Sequence, residues 1–162
     1  MNHLSLVLGL AILIGLPSIA TVSQSATEPM LTIANPTSGA DEIVLSIADI
    51  ETLGKTIVKT TTPWHNGVQT FEGVSLGDLA SSAGMKGAIS VVKALNNDVT
   101  EIPFADLAKC PVILAYRRNG EWMPISDKGP FFVIHAYGAN PVLKSEVYGS
   151  RSAGQVKSIS VE

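Results

Sequence analysis

Short β-prone segments, each closed by a turn residue, most strongly constrain what this chain can fold into. Residues 55–62 consist mainly of threonine, isoleucine and valine, and Pro63 ends the run, which predicts a β-strand. Asn119 and Gly120 lie between two further β-prone runs and predict a hairpin. Similar runs predict strands at 42–45, 68–74, 88–95, 99–103, 112–117, 121–124, 131–135 and 156–161.

Helix signals are few and short. Ser46 and Ser75 each lie three residues before an aspartate, which is the spacing of a capping box. They predict short helices that end near Gly54 and Gly84, and a third is predicted at 104–109. The sequence has no long amphipathic pattern and no βαβ rhythm. We therefore predict an α+β fold dominated by mixed β-sheet, with two or three short helices.

Composition excludes several classes of function. The chain has 162 residues, enough for one domain with a core, and a net charge of −3 with scattered basic residues. The sequence therefore predicts no nucleic-acid binding. A single cysteine, Cys110, rules out an intrachain disulfide and a cysteine-cluster metal site. The histidines His3, His65 and His135 show no ligand spacing, so no metal site is predicted.

The N-terminus carries an export signature. Residues 6–16 form an unbroken apolar run that Pro17 ends, a length typical of a signal peptide and too short for a membrane span. Small residues offer cleavage sites after Ala20 and after Ser25. Residues 1–25 are therefore predicted to be a signal peptide, and the protein to be periplasmic or secreted. The n-region lacks lysine and arginine, so an uncleaved N-terminal anchor is the alternative.

The rest of the chain is predicted to form one domain preceded by a flexible lead-in segment. Residues 26–41 are rich in proline, serine, threonine and glycine, which predicts a flexible segment. The predicted domain spans residues 42–162. After export, Cys110 would be a lone thiol in an oxidising compartment, and a buried, inert cysteine is the prediction.

Two polar loops containing glycine are the best candidates for a binding site, because binding groups commonly sit in loops held by a rigid scaffold. In residues 127–130, Lys128 suits an anionic ligand. The alternative is a tight turn in which Asp127 bonds its own backbone. In residues 148–152, Arg151 beside two serines suits a phosphate or carboxylate. The alternative is an arginine that packs over the sheet and pairs with a local acid such as Asp127.

Aromatic residues and histidines give further alternatives. His65 lies at the end of the threonine-rich strand, where it is either a general base or ligand contact, or an inert, partly exposed side chain. Trp64 is predicted to pack in the core, and Trp122 in the core or at a sheet edge. His135, within an apolar strand, is predicted to be a buried histidine with its hydrogen bonds satisfied. No carboxylate pair, nucleophile elbow, P-loop or dinucleotide motif occurs.

The order of these segments resembles a known family. The segments are Leu45–Asp49, the threonine strand with Trp64, Phe71–Leu79, Val112–Ala115, Asp127–Pro130 and Tyr148–Ile159. They resemble the small exported proteins that share the sulfite-oxidase-like oxidoreductase molybdopterin-binding domain. The resemblance covers residues 42–162 and implies a sulfite-oxidase-like molybdopterin-binding fold.

The resemblance also indicates what is missing. In the larger enzymes with this fold, molybdenum is held by a molybdopterin dithiolene and by one cysteine just before the tryptophan. Here that stretch is Lys59–Trp64, without cysteine, and a threonine hydroxyl does not replace a soft thiolate. Cys110 belongs to another part of the pattern. Gly154 stands where members of the small group often have tryptophan.

The resemblance therefore implies a small-molecule pocket in which no protein side chain coordinates a metal. It implies binding of an anionic or pterin-like small molecule, with molybdopterin as a candidate, by Thr62, Trp64, His65, Lys128, Arg151, Ser152 and Lys157. The leading prediction is an exported ligand-binding or accessory module of a redox or sensory system. One alternative is a molybdopterin-dependent oxidoreductase that binds its cofactor without a protein thiolate. Another is a module that binds a membrane-bound redox or sensor partner.

Overall fold

The computed structural model describes residues 28–34 and 42–162. The predicted signal peptide at 1–25 and its cleavage sites lie outside the described residues. The predicted lead-in at 26–41 is described only at 28–34. Across the two described ranges, no helix is both long enough and apolar enough to cross a membrane.

Strands dominate the described part of the chain, and the α+β prediction is confirmed. The strands are β1 (Met30–Ala34), β2 (Ile43–Ser46), β3 (Thr56–Thr62), β4 (His65–Ser75), β5 (Ile89–Ala94), β6 (Val99–Pro103), β7 (Val112–Arg118), β8 (Glu121–Trp122), β9 (Phe132–His135) and β10 (Val156–Val161). The helices are α1 (Ile47–Glu51), α2 (Leu76–Ser82), α3 (Phe104–Lys109) and α4 (Glu146–Ser150), with 3₁₀ turns at Ile125–Asp127 and Pro141–Lys144. Helix α4 and both 3₁₀ turns were not predicted from the sequence.

The strands form two sheets. In the first sheet the order is β2-β1-β10-β5-β6. Strand β1 runs parallel to β10, with Thr32 opposite Ser158, while the other neighbours are antiparallel. In the second sheet the order is β3-β4-β7-β8, and β9 also pairs with β7. The first sheet confirms the prediction of a mixed β-sheet.

Strand β1 is the main departure from the sequence prediction. Residues 26–41 were expected to form a flexible lead-in, but Met30–Ala34 lies inside the first sheet between β2 and β10. Leu31 and Ile33 are fully buried and alternate with Thr32, the pattern of a half-buried strand. The surrounding prolines, serines and glycines favoured a flexible segment, so this short alternating pattern was not predicted to be a strand.

Two core clusters lie on the two faces of the second sheet. The first joins Leu31 of the first sheet to Leu114 and Val133 of the second. The second contains Phe71 and Phe132 on the other face. Strand β9 contributes to both clusters, which explains its uninterrupted apolar sequence. Burial on both faces holds β9 firmly, and with it the polar loop that immediately precedes it.

The serine caps form as predicted at α1 and in part at α2. Ser46 Oγ accepts a hydrogen bond from the backbone N–H of Asp49, whose carboxylate accepts one from the N–H of Ser46. The Ser46 hydroxyl also donates to the Asp49 carboxylate at 2.7 Å; this bond first, and the bond from the Ser46 N–H second, hold the pKa of Asp49 below its usual value. Ser75 Oγ accepts only the N–H of Asp78. Both helices therefore begin at the predicted serine.

Candidate functional site

A polar cleft of about 350 Å³ lies beside the loop that precedes β9. Its walls are the Trp64 side chain, residues 126–128, residues 152–155 and the β5–β6 turn region with Asn96 and Asp98. Segments from both sheets therefore meet here. The cleft brings together the two polar loops that the sequence analysis singled out.

The Lys128 loop is held in one backbone conformation. Lys128 adopts a left-handed φ of 68°, and the N–H of Gly129 donates to the carbonyl of Pro124 at 2.9 Å. A Cβ at Gly129 would lie 1.8 Å from the Met123 carbonyl oxygen, so only glycine fits there. The N–H of Gln155 donates to the Lys128 carbonyl at 2.8 Å and ties the loop to the opposite wall.

Gly154 gives the Lys128 side chain its place in the cleft. A Cβ at Gly154 would lie 2.7 Å from Lys128 Cδ and 3.2 Å from its Cα. The methylene stem of Lys128 therefore packs against the bare backbone of Gly154. A larger residue at position 154 would displace this lysine.

Asp127, at the end of a 3₁₀ turn, contacts two strands through its carboxylate. One oxygen accepts a hydrogen bond from His65 Nε2 at 3.1 Å, and the other accepts from Arg118 Nη2. The hydrogen bond from His65 is the main reason that the pKa of Asp127 falls below its usual value; burial opposes the shift and Arg118 adds to it. The predicted turn is present. Its carboxylate reaches across to β4 and β7 rather than bonding its own backbone.

His65 and Thr62 extend this network behind the cleft wall. When His65 Nε2–H donates to Asp127, Nδ1 accepts from the Thr62 hydroxyl at 2.9 Å. Thr62 Oγ1 also accepts the backbone N–H groups of Trp64 and His65, at 3.2 and 3.1 Å. Thr62 and His65 therefore hold the Trp64 turn and Asp127 in place, and neither lines the cleft.

Trp64 presents an aromatic surface to the cleft. Its ring packs edge-on against Phe132, at a centroid distance of 5.5 Å, and against Tyr137 at 6.1 Å. The residue is still 37% exposed, so the prediction that it packs in the core is only half right. Lys128 Nζ lies 5.0 Å from the Trp64 ring centroid. Lys128 makes no ion pair within the part of the chain that the structure describes.

Ser152 stands between the cleft and a buried polar cluster. Its Oγ lies 2.6 Å from the Tyr137 hydroxyl and 3.2 Å from His135 Nδ1. His135 has no exposed surface, and its Nε2 has no hydrogen-bond partner. Burial lowers the pKa of His135 to about 4. The prediction of a buried histidine is confirmed, but only one of its ring nitrogens has a partner.

Arg151 and Lys157 lie away from the cleft walls. Arg151 Nη1 donates to Asp106 at 2.6 Å, and its guanidinium lies 5.6 Å from the Tyr148 ring centroid. The paired-arginine alternative describes this arrangement, with buried Asp106 as the acid in place of Asp127. Lys157, on β10, donates to the Asn97 side chain at 2.6 Å. Of the seven predicted binding residues, the cleft is lined by Trp64, Lys128 and Ser152.

Among the residues of the site that were not identified from the sequence are Asn96, Asp98, Arg118 and Gln155. The turn at Asn96 and Asp98 was predicted, but nothing local indicates that it faces Trp64. Arg118 belongs to a predicted strand, and its pairing with Asp127 depends on the return of the chain after the hairpin. Gln155 has a positive φ of 54°, which no sequence pattern indicates.

A molybdenum held through a protein thiolate does not fit these residues. Within residues 28–34 and 42–162, no cluster of three or more histidine, cysteine or acidic side chains is placed to hold a metal ion. The Thr62 hydroxyl already has three hydrogen-bonding contacts. Cys110 is half-buried against the second core cluster and is not part of the cleft wall.

Comparison with known proteins gives no family assignment. No protein-family model matches the chain, and no curated protein matches it.

Proposed function

We propose that this chain is an exported ligand-binding module on a sulfite-oxidase-like scaffold, and that its polar cleft binds a small planar anion such as a pterin. The observation that carries the proposal is Lys128, whose ammonium lies over the Trp64 ring with no acidic partner among the described residues. Such a pair offers a stacking surface and a positive charge to the same ligand.

The size and polarity of the cleft suit a ligand of this class. Small-molecule sites span about 300–1,000 Å³, and this cleft measures about 350 Å³. Gln155 Nε2 donates to the Ile125 carbonyl at 2.8 Å, which holds this side chain in the cleft wall with its amide oxygen as a hydrogen-bond acceptor for the edge of a heterocycle. Asp98 lies on the β5–β6 side, so an anionic group is favoured at the Lys128 end.

The charge of Asp127 does not cancel that of Lys128, because Asp127 already has two partners. Arg118 and His65 both contact its carboxylate. The same contacts fix the Lys128 loop to the Trp64 turn through Thr62. A site held in its binding conformation before the ligand arrives loses less entropy on binding.

The proposed module works without a molybdenum–thiolate centre, since no cysteine lines the cleft. After export, the module would meet membrane-bound proteins. We propose that a membrane-bound redox or sensor partner binds it and responds to whether the cleft holds its ligand. The alternative, a molybdopterin-dependent oxidoreductase without a protein thiolate, would use the same cleft. The molybdenum content of the natively exported protein separates the two. Stoichiometric molybdenum would refute the proposal and support the alternative.

Binding itself is tested with two pterins that differ in charge. In a Trp122→Phe background, Trp64 is the only tryptophan, and its fluorescence reports binding of pterin-6-carboxylate and of uncharged pterin. Lys128→Met is expected to weaken the carboxylate about fivefold, the effect of about 1 kcal/mol from one ion pair. Uncharged pterin should bind both proteins alike.

Lys59→Met is the matched control. Lys59 is exposed on β3 and is not part of the cleft wall, so this variant should bind both pterins as the parent does. If Lys59→Met and Lys128→Met weaken the carboxylate equally, net charge rather than the cleft accounts for binding. If neither pterin quenches Trp64, the cleft does not bind this class of ligand.

A further inference from the structure

A second cavity of about 460 Å³ shares no residue with the polar cleft. We call it the apolar groove, and its walls include Glu28, Ile47, Glu51, Tyr116, Trp122 and Met123. It lies where α1 and the residues before β1 meet the β7–β8 hairpin. No sequence motif points to this groove, and it has no role in the function proposed for the polar cleft.

The groove walls combine an aromatic surface with a buried polar atom. Trp122 is 50% exposed, although its ring lies 5.9 Å from the Tyr116 ring. Tyr116 is only 1% exposed, and its hydroxyl has no hydrogen-bond partner. Buried hydroxyls in folded proteins normally have a partner. An unpartnered phenol in the wall of a groove indicates that a ligand supplies the missing contact.

The charges around the groove are mainly negative. Glu28 and Glu51 lie in its walls, and neither makes an ion pair among the described residues. Burial raises the pKa of Tyr116, and the charges of Glu51 and Glu72 raise it further, while Arg117 opposes them. The negative potential therefore reaches the phenol.

Two cations lie near the groove, and both contact Glu72: Lys55 at 2.9 Å, and Arg117. The Arg117 guanidinium lies 3.8 Å from the Trp122 ring centroid and 3.9 Å from the Glu72 carboxylate. Arg117 is not part of the groove wall. It therefore fixes the Trp122 ring and leaves the two wall carboxylates unneutralised.

We propose that the apolar groove binds a small organic ammonium compound with a flat or alkyl body. The body packs between Trp122, Met123 and Ile47. The ammonium group faces Glu51 and donates a hydrogen bond to the Tyr116 hydroxyl oxygen. A cation is favoured because removing an apolar body from water supplies the affinity and the unpaired carboxylates select the charge. This inference does not depend on the function proposed for the polar cleft.

The test uses three probes with the same phenyl body and different charge: 2-phenylethylamine, 2-phenylethanol and 3-phenylpropionate. In exported protein carrying Trp64→Phe, Trp122 is the only tryptophan, and its fluorescence reports the groove. The amine should bind most tightly, the alcohol less so and the acid least. Equal affinities, tighter binding of the acid or no binding of the amine would overturn the proposal.

Two variants separate charge from packing. Glu51→Gln should weaken the amine threefold to fivefold, the range for one partly exposed ion pair, and leave the alcohol unchanged. The matched control is Glu101→Gln on β6, which lies outside the groove wall. Tyr116→Phe should leave the melting temperature of the free protein unchanged or higher, and should shrink the increase that saturating amine produces. An unchanged amine affinity in Glu51→Gln refutes the charge assignment.

Discussion

His135, the buried histidine of β9, makes the free energy of unfolding depend on pH at values above those at which aspartate and glutamate side chains titrate. His135 has its pKa lowered from 6.5 to about 4 by burial, and its Nε2 has no partner to stabilise a proton. An unfolded chain binds a proton at this histidine near pH 6.5, whereas the folded protein resists it until about pH 4. Unfolding therefore takes up a proton between these values, and stability rises with pH across this window.

The magnitude follows from the two pKa values. The shift from 6.5 to about 4 corresponds to about 3 kcal/mol in total, since one pKa unit is about 1.4 kcal/mol. About 2 kcal/mol of this should be lost between pH 7 and pH 5. The pKa of Asp127 is lowered from 3.8, so its contribution is lost only below that value. The interval from pH 7 to pH 5 is thus sensitive mainly to histidine.

Urea unfolding at pH 7 and pH 5 checks this prediction when the wild type is compared with His135→Asn. The substitution removes the titrating ring but keeps a polar atom able to reach Ser152. Its packing defect should lower stability at both pH values by the same amount. We expect the wild type to lose about 2 kcal/mol more than His135→Asn over the interval. Equal losses in the two proteins would show that His135 titrates normally in the fold and that the reasoning is wrong.

Two further predictions concern close packing and a buried charge, both measured by urea unfolding at pH 7. Gly73→Ala should lower the free energy of unfolding by about 3 kcal/mol, because the new Cβ would lie 2.1 Å from the Leu114 carbonyl oxygen. The control is Gly149→Ala, whose Cβ would have nothing within 4 Å and which should change the free energy of unfolding by less than about 1 kcal/mol. Arg151→Met should cost about 3 kcal/mol because it leaves Asp106 buried and unpaired. The double variant with Asp106→Leu should recover most of this loss, and an unrecovered loss would show that the pair is not the cause.

Local signals predicted the strands and turns well. The threonine-rich run matches β3, and Asn119–Gly120 forms the predicted hairpin with positive φ at both residues, 53° and 88°. β-branched composition and left-handed turn preference act within a few residues, so a single sequence carries them. Strand β1 was missed because its place depends on parallel pairing with β10, far along the chain.

The site was predictable only in part, for the same reason. The resemblance pointed to Trp64, Lys128 and Ser152, and the structure places all three in the walls of one cleft. The contact between His65 and Asp127 joins residues 62 positions apart, and no local pattern records it. Arg151 also pairs with an acid that lies 45 positions away. Spacing shows what a side chain is able to bind, while the tertiary fold decides which partner it meets.

The last strand lies in the middle of the first sheet. Strand β10 separates β1 from β5, so without it the sheet divides into two isolated ribbons, β2-β1 and β5-β6. Two-stranded ribbons are marginally stable in water. A chain synthesised from its N-terminus therefore cannot close the first sheet until Val156–Val161 has been made. Until then the edges of β1 and β5 stay open to chaperones and to other chains.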